Sequence, residues 1–410
     1  MKPFLLPLFA VATLFPRLLS FPSPWEQVQL TELLFFPLLW LFRKELFDSV
    51  RRLPAFSSAA GLYVVIGVIS GFASGEMGAV LEAGSRGYLA ALALLTVAHL
   101  YRYGPGQLEA WWKWGTVITA AAALAYYALI MVGVPDQLNW VERFSDYPYL
   151  GEVYRMRATG NTYGMWMMLT LPGLLIALGD WHRGRGRLWP VGLILMAMLP
   201  TLSKELLLVL TGFLLLSNSP AAVRVGGSVL LGIVLVLGTH YLVVDSESGH
   251  HPTSYLGNST LVSVGDYHLV ESVYLPIKRA ALRVGQQHPW LGVGPGQFAT
   301  FSQGAVPPGE LPPAFGPFDP HSVWTGTIAE TGILGLLTLI TLVAVLFAYW
   351  PKQITVVGAL LILFLISSVF KDVLNFRGLW VLIGWFLAQG AGVSHAKEGA
   401  TSERGRVSLA

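Results

Sequence analysis

Residues 319–343 read "DPHSVWTGTIAETGILGLLTLITLV", and they decide the class of fold. Between Ser322 and Tyr349 the only charged side chain is Glu330, and the run exceeds the ~20 apolar residues that cross a bilayer. The rest of the chain has the same character. Of its 410 residues, 54% are hydrophobic and 12% charged, whereas soluble domains carry roughly 25% charged residues. Mean hydropathy is +0.59. The sequence therefore predicts an all-α polytopic membrane protein.

About twelve apolar segments are expected as spans, at roughly 3–21, 27–42, 54–73, 86–101, 111–133, 158–179, 188–202, 204–218, 222–244, 322–350, 353–370 and 374–393. Together they form one transmembrane domain over residues 1–393, followed by a short polar tail, 394–410. The pair flanking "TLSKELL" reads either as one kinked helix or as two short ones. The first segment carries Lys2 before its apolar run but lacks a small-residue cleavage pattern, so it is expected as a retained span. There is no cysteine, which excludes disulfides, thiolate metal sites and a cysteine nucleophile.

Basic residues in short loops mark the cytoplasmic side. Arg43, Lys44, Arg51 and Arg52 in "FRKELFDSVRRL", the arginines of "DWHRGRGR", Arg224, Lys352 and the tail all fall on one side if the N-terminus is inside. The opposite loops, "SGEMGAVLEAGS" and "PDQLNWVERFSDYPYLGEVY", are acidic or neutral. An even number of spans then leaves both termini in the cytoplasm. Residues 245–321 form one large outer loop, too long for an ordinary connection. Within it, Val273, Ile277, Ala280, Ala281 and Val284 share a helical face, with Lys278, Arg279 and Arg283 towards its flank, which predicts an amphipathic helix. The prolines of "GAVPPGELPPAFGPFDP" exclude regular structure there.

Several cations fall where this topology disfavours them: Arg86, Arg155, Arg157, Lys204, Lys278, Arg279, Arg283, Lys371 and Arg377. Burying one near a helix centre costs ~2.5–3.5 kcal/mol, so an anionic partner is expected. Snorkelling, or pairing of Lys204 with Glu205, Lys371 with Asp372 and Arg155 with Glu152, accounts for individual residues. Nearby outer acids are too few to match the whole set, and a pyrophosphate would account for it, because arginine grips phosphate oxygens in pairs. His321, shielded just before a span, suits a general base, although a helix-capping histidine has the same position. Glu330 is read first as a structural carboxylate. His250 and His251 in "SGHHP" are set aside as loop polarity. No metal, cofactor or nucleic-acid partner is expected.

"QHPWLGVGPGQF", residues 287–298, is rich in glycine but is no dinucleotide fingerprint. Pro295 interrupts the pattern and no strand–helix unit flanks it. Its glycines are expected to make a tight turn that seats the loop on the membrane domain, with Trp290 and Phe298 as interfacial anchors.

Three stretches resemble the O-antigen ligase and O-antigen polymerase superfamily of bacterial inner-membrane glycan transferases. "HPWLGVGPGQF" is similar to the glycine signature of that family's large periplasmic loop. "PHSVWTGTIAETGILGL" resembles its histidine- and glutamate-containing signature at the start of the next span. "RATGNTYGMWMMLTLP", with Arg157 and Asn161, is similar to a further family stretch. The resemblance covers about 157–340.

It implies that a glycan passes from an undecaprenyl-diphosphate carrier to an acceptor hydroxyl at the periplasmic face. His321 would be the activating base. Lys204 in "TLSKELL" would be a diphosphate ligand, in place of the family's usual arginine. A second family arginine matches either Arg279 or Arg283, and Arg86, Arg157 and Arg377 remain candidates by position. Ser322 stands where asparagine is usual. The resemblance implies membrane lipids as surroundings and lipid A–core as the favoured acceptor. A second lipid-linked glycan (polymerase) and a protein hydroxyl (protein O-oligosaccharyltransferase) stay open. A transporter of the same lipid-linked glycans is the reading from another class.

Overall fold

The apolar segments fold as helices whose ends are set by proline, glycine and short polar caps. In this computed structural model the described residues are 2–16, 29–147, 151–160, 162–203, 205–216, 226–227, 233, 240–244, 260–265, 267–272, 274–306, 318–351 and 354–391. The chain is mostly helical. Among the described residues, five helices are long and apolar enough to cross a membrane: α3 (Pro54–Ser74), α4 (Met77–Tyr103), α5 (Gly106–Met131), α6 (Tyr163–His182) and α11 (Val323–Ala348). Shorter apolar helices are α1 (Lys2–Ala12), α7 (Trp189–Met198), α8 (Leu206–Leu215) and α12 (Val356–Ser368). The remaining helices are α2 (Leu30–Arg52), α9 (Tyr274–Gln287), α10 (Phe298–Ala305) and α13 (Arg377–Gly390).

"FRKELFDSVRRL", read above as a loop, is the last part of α2. It contains no glycine or proline, and Arg51 and Arg52 complement the negative end of the helix dipole. The break comes at Leu53, before Pro54 opens α3. At "TLSKELL" the chain does not run through as one helix. A 3-10 turn, Leu199–Thr201, ends at Leu202 in the left-handed region, and α8 starts afresh at Leu206.

Two small antiparallel sheets correct the all-α expectation. In one, β1 (Val141–Tyr147) pairs with β2 (Gly151–Met156), setting Glu142 opposite Arg155. In the other, β5 (Tyr267–Glu271) lies between β3 (His240–Val244) and β4 (Thr260–Val264). β3 occupies the end of the expected span 222–244, most of which lies outside the described residues. Alternation over strands this short is a weak sequence signal. Arg224, His250, His251, Val273, Lys352, the tail and most of the proline-rich stretch also lie outside the described residues.

The main core gathers Trp112, Trp166, Trp380, Trp385, Phe9 and Phe42, all fully buried. A second core lies under α9, where Ile277, Ala280, Ala281 and Val284 meet Val293, Phe298, Phe318 and Ala329. That is the apolar face expected of an amphipathic helix. Phe298 is buried in it and is not an interfacial anchor, whereas Trp290 is 68% exposed.

Three helices share the same pair of ends. α6 and α8 begin, and α12 terminates, where Glu205 pairs with Lys371 and the Ser322 hydroxyl donates to the Ser368 carbonyl. At the opposite end, Lys113 meets Asp180 at 2.5 Å and Thr355 donates to Gln389 at 2.9 Å.

Candidate functional site

The site is organised by a break in α11. Gly332 has φ 65° and ψ −162°, so the i to i−4 ladder fails there. In an unbroken helix Ile333 and Leu334 would donate to Ala329 and Glu330. Instead the glycine loop is spliced between them. The Val293 and Gly294 amides donate to the Ala329 and Glu330 carbonyls at 3.0 and 2.9 Å. The Pro289 and Trp290 carbonyls accept from Ile333 and Leu334 at 2.8 and 3.4 Å. Four inter-segment bonds thus replace two helical ones, which leaves no orphaned backbone at a buried kink. From α3, the Ser70 hydroxyl reaches the Leu291 and Glu330 carbonyls.

The glycines make this approach possible. Gly292 and Gly332 both have φ 65°. A Cβ on Gly292 would stand 2.3 Å from the Glu330 carbonyl carbon, and one on Gly332 would stand 2.4 Å from that of Trp290. The loop is therefore a docking device, as its composition predicted.

The same break presents Glu330 to Arg86 of α4 at 3.3 Å, with side chains only 14% and 11% exposed. The guanidinium also lies over the Tyr63 ring at 5.1 Å. Glu330 faces the Gly296 amide of the docked loop. The pair locks α4, α11 and the loop together.

His321 stands two residues before α11 in the left-handed region, φ 46°, an uncommon state for a side chain of this size. Ser322 caps the helix after it by accepting from the Thr325 amide. The imidazole meets the edge of Tyr274 at a ring separation of 5.0 Å. Burial lowers its pKa. Asp319 opposes that shift, and the charges of Lys371 and Lys278 add to it. Its surroundings thus favour the neutral ring over the imidazolium.

Lys278 lies one turn along α9 from Tyr274, on the same face. It is 9% exposed, and burial pushes its pKa down to about 8. Its ammonium sits 4.5 Å from the centre of the Phe370 ring and has no carboxylate partner among the described residues. Lys371, next in sequence to Phe370, pairs with Glu205, which also accepts from the Ser203 hydroxyl. Any Cβ on Gly164, at the start of α6, would collide with the Lys371 ammonium. Asp372 follows in sequence and accepts from the Asn375 side-chain amide at 2.7 Å; desolvation by its surroundings pushes its pKa up to about 6.

The other expected cations have their own partners. Arg157 donates to the Asn139 carbonyl at 2.8 Å and lies 3.7 Å from Glu142. Arg279 pairs with Glu271 at 2.6 Å, Arg377 with Glu32 at 2.5 Å, and Arg283 donates to the Ala305 carbonyl at 3.1 Å. Arg155 bonds the Thr201 and Leu202 carbonyls. The argument that outer acids are too few therefore fails for Arg86, Arg157, Arg279, Arg377 and Lys371, each of which has a carboxylate. Lys204 and Asn161 lie outside the described residues.

What sequence reasoning did not rank was Lys278. The signal was present: Lys278, Ala281 and Gly285 are spaced i, i+3, i+7, and all three are buried. The Glu205–Lys371 pair had no such signal, because its members are far apart in sequence. An apolar crevice between α11, α12 and α13 begins beside the site at Val323, Ser368 and Val373, and runs past Leu342 and Phe364 to Trp350.

These features define a mostly helical protein with helices long and apolar enough to cross a membrane, and with His321, Lys278 and the Glu205–Lys371 pair gathered at one end. No family model and no curated protein matches the chain.

Proposed function

We propose that the chain is an O-antigen ligase-like glycosyltransferase of the bacterial inner membrane. It moves a glycan from undecaprenyl diphosphate to a hydroxyl of lipid A–core at the periplasmic face. The observation that carries this reading is that Lys278 and His321 lie within electrostatic reach of each other. Lys278 is buried and without a carboxylate partner among the described residues, and His321 stands edge-on against Tyr274, one helical turn from Lys278. Around them gather pieces of all the resembling stretches: Gly164, Glu205 beside Lys204, and the α11 start held by the glycine loop.

The chemistry asks for few groups. The acceptor oxygen attacks the anomeric carbon while its proton passes to His321. The bond from that carbon to the diphosphate oxygen breaks, and the electron pair leaves with the diphosphate. Lys278 stabilises the growing negative charge, contributing ~4 kcal/mol at about 4 Å and an effective dielectric near 20, before desolvation. Only the part that favours the developing charge over the ground state accelerates the reaction. One displacement inverts the anomeric centre. The crevice along α11–α13 offers the polyprenyl tail an apolar path beside the site.

The proposed topology has about twelve spans, the 245–321 loop in the periplasm and both termini in the cytoplasm. The segregation of contacts supports it. Residues assigned outside meet one another, as Arg155 meets Thr201, Glu205 meets Lys371 and Ser322 meets Ser368. Residues assigned inside do the same, as Arg102 meets Glu45 and Lys113 meets Asp180.

The test is reconstitution with labelled lipid-linked glycan and, in turn, lipid A–core, a second lipid-linked glycan and a pilin-like peptide. Product is expected with lipid A–core, and the His321→Ala protein should retain carrier yet make none. Product from another acceptor alone would reassign the reaction. Undiminished transfer by the histidine variant, or no product with any acceptor, would overturn the reading.

A further inference from the structure

The end of the bundle opposite His321 holds a cavity of about 580 Å³, within the ~300–1,000 Å³ range of ligand sites. It lies where α6, α8 and α13 end and α12 begins, roughly 20 Å along α12 from the Lys371 cluster at 1.5 Å per residue. Its walls are mixed: Ile176, Phe213, Leu216 and Trp385 give an apolar side, and Glu109, His182, Arg183, Thr355 and Gln389 a polar one.

Two of these have opposite charge. Glu109, in the first turn of α5, faces the cavity with no ion pair or hydrogen bond among the described residues. Arg183, at the C-cap of α6, also lines the cavity; its Nη2 donates to Asp180 at 3.1 Å and its side chain is 44% exposed. Asp180, itself paired with Lys113 at 2.5 Å, lies with Arg183, Lys113 and Arg185 within electrostatic reach of Glu109. Beside them α12 begins. Thr355 occupies the Gly358 amide, but the first-turn amides of Val356 and Val357 have no partner within the helix. An amide pair of this kind at a helix N-terminus next to an arginine attracts phosphate. An unpaired carboxylate on the other side attracts a cation.

We propose that this cavity binds a zwitterionic phospholipid whose headgroup ends in a primary ammonium, phosphatidylethanolamine in a bacterial bilayer. The phosphate faces Arg183 and the α12 N-terminus, the ammonium donates to Glu109, and the apolar side takes the start of the acyl chains. A headgroup with no cation would leave Glu109 beside a phosphate. A trimethylated ammonium has no hydrogen to donate to it. The site does not depend on the transfer reaction proposed above.

The experiment is lipid retention by the purified full-length protein in nanodiscs of equimolar phosphatidylethanolamine, phosphatidylglycerol and phosphatidylcholine, read by native mass spectrometry. The ammonium-bearing lipid is expected to be enriched about tenfold, as one charge-assisted hydrogen bond allows. Glu109→Gln should abolish that preference, and Arg183→Gln should weaken retention of both phosphatidylethanolamine and phosphatidylglycerol. Lys278→Gln, at the other end, should leave the preference intact while any transfer activity falls. Equal retention of all three lipids by the unmodified protein, or an unchanged preference in Glu109→Gln, would overturn the proposal and leave only adventitious annular lipid.

Discussion

Arg86 and Lys278 are both buried cations near the same end of the bundle, and they are held in opposite ways. Arg86 faces Glu330 and an aromatic ring, so its charge is balanced inside the protein by a carboxylate, although its buried Nη1 has no hydrogen-bond partner among the described residues. Lys278 has a ring beneath it and no carboxylate partner among the described residues, and its pKa falls to about 8. Removing one partner of a satisfied buried pair is destabilising, while a lone buried charge is itself a cost that a ligand can relieve. The first arrangement builds the fold, and the second leaves a place for an anion.

The sharpest way to break this contrast is to unseat the loop that arranges Glu330. Gly292→Ala or Gly332→Ala adds a Cβ inside backbone atoms at positive φ, and about 3 kcal/mol or more of stability is expected to be lost. Thermal unfolding in detergent reads this directly. A melting temperature within a degree of wild type would mean that the splice into α11 is not what holds the loop. Glu330→Gln comes next, at about 3–5 kcal/mol, because it strands Arg86 in an apolar setting. Much of that loss should return in Arg86→Met with Glu330→Met. No recovery in the double variant would show that the carboxylate acts through some other partner.

How much of this could be read beforehand follows from the range of each signal. Helices and the amphipathic face of α9 were legible because hydrophobic periodicity is local. The role of the glycines was legible as well, since a positive φ leaves few other residue types. Pairing was not. Arg377 finds Glu32 and Arg86 finds Glu330 across hundreds of residues, and counting acids near each span cannot reveal such partners. The two small sheets escaped for the related reason that strand pairing is a long-range choice. Choosing the cations by resemblance and by position also passed over Lys278, whose burial and lack of a carboxylate partner among the described residues set it apart.

Lys278→Met sharpens the comparison at smaller amplitude. A lysine whose pKa falls on folding binds its proton more weakly in the native state than in the unfolded chain. Stability should therefore rise with pH from about 8 towards the ordinary lysine value near 10.4, where the unfolded chain holds more protons. The methionine variant should lose that rise, show unimpaired stability at pH 7 and bind carrier diphosphate more weakly. A strong loss of stability at pH 7 would mean that the ammonium has a structural partner after all. Transfer, for its part, should lose activity only below the usual histidine value near 6.5, because His321 must first be protonated against its burial and two lysine charges. An acid limb at or above that value would remove His321 from the role of base.

The smallest effect is expected one residue away. Arg279 is 40% exposed and pairs with Glu271 at 2.6 Å, so solvent reaches and screens its guanidinium, and Arg279→Gln should cost about 1 kcal/mol. Because its guanidinium is already engaged, carrier binding should change less than with Lys278→Met. Side by side, these neighbouring substitutions ask whether an available charge or its mere nearness to the site recruits phosphate. If Arg279→Gln weakened binding more than Lys278→Met did, nearness would be the better guide, and the contrast between satisfied and unsatisfied cations would lose its meaning for this site.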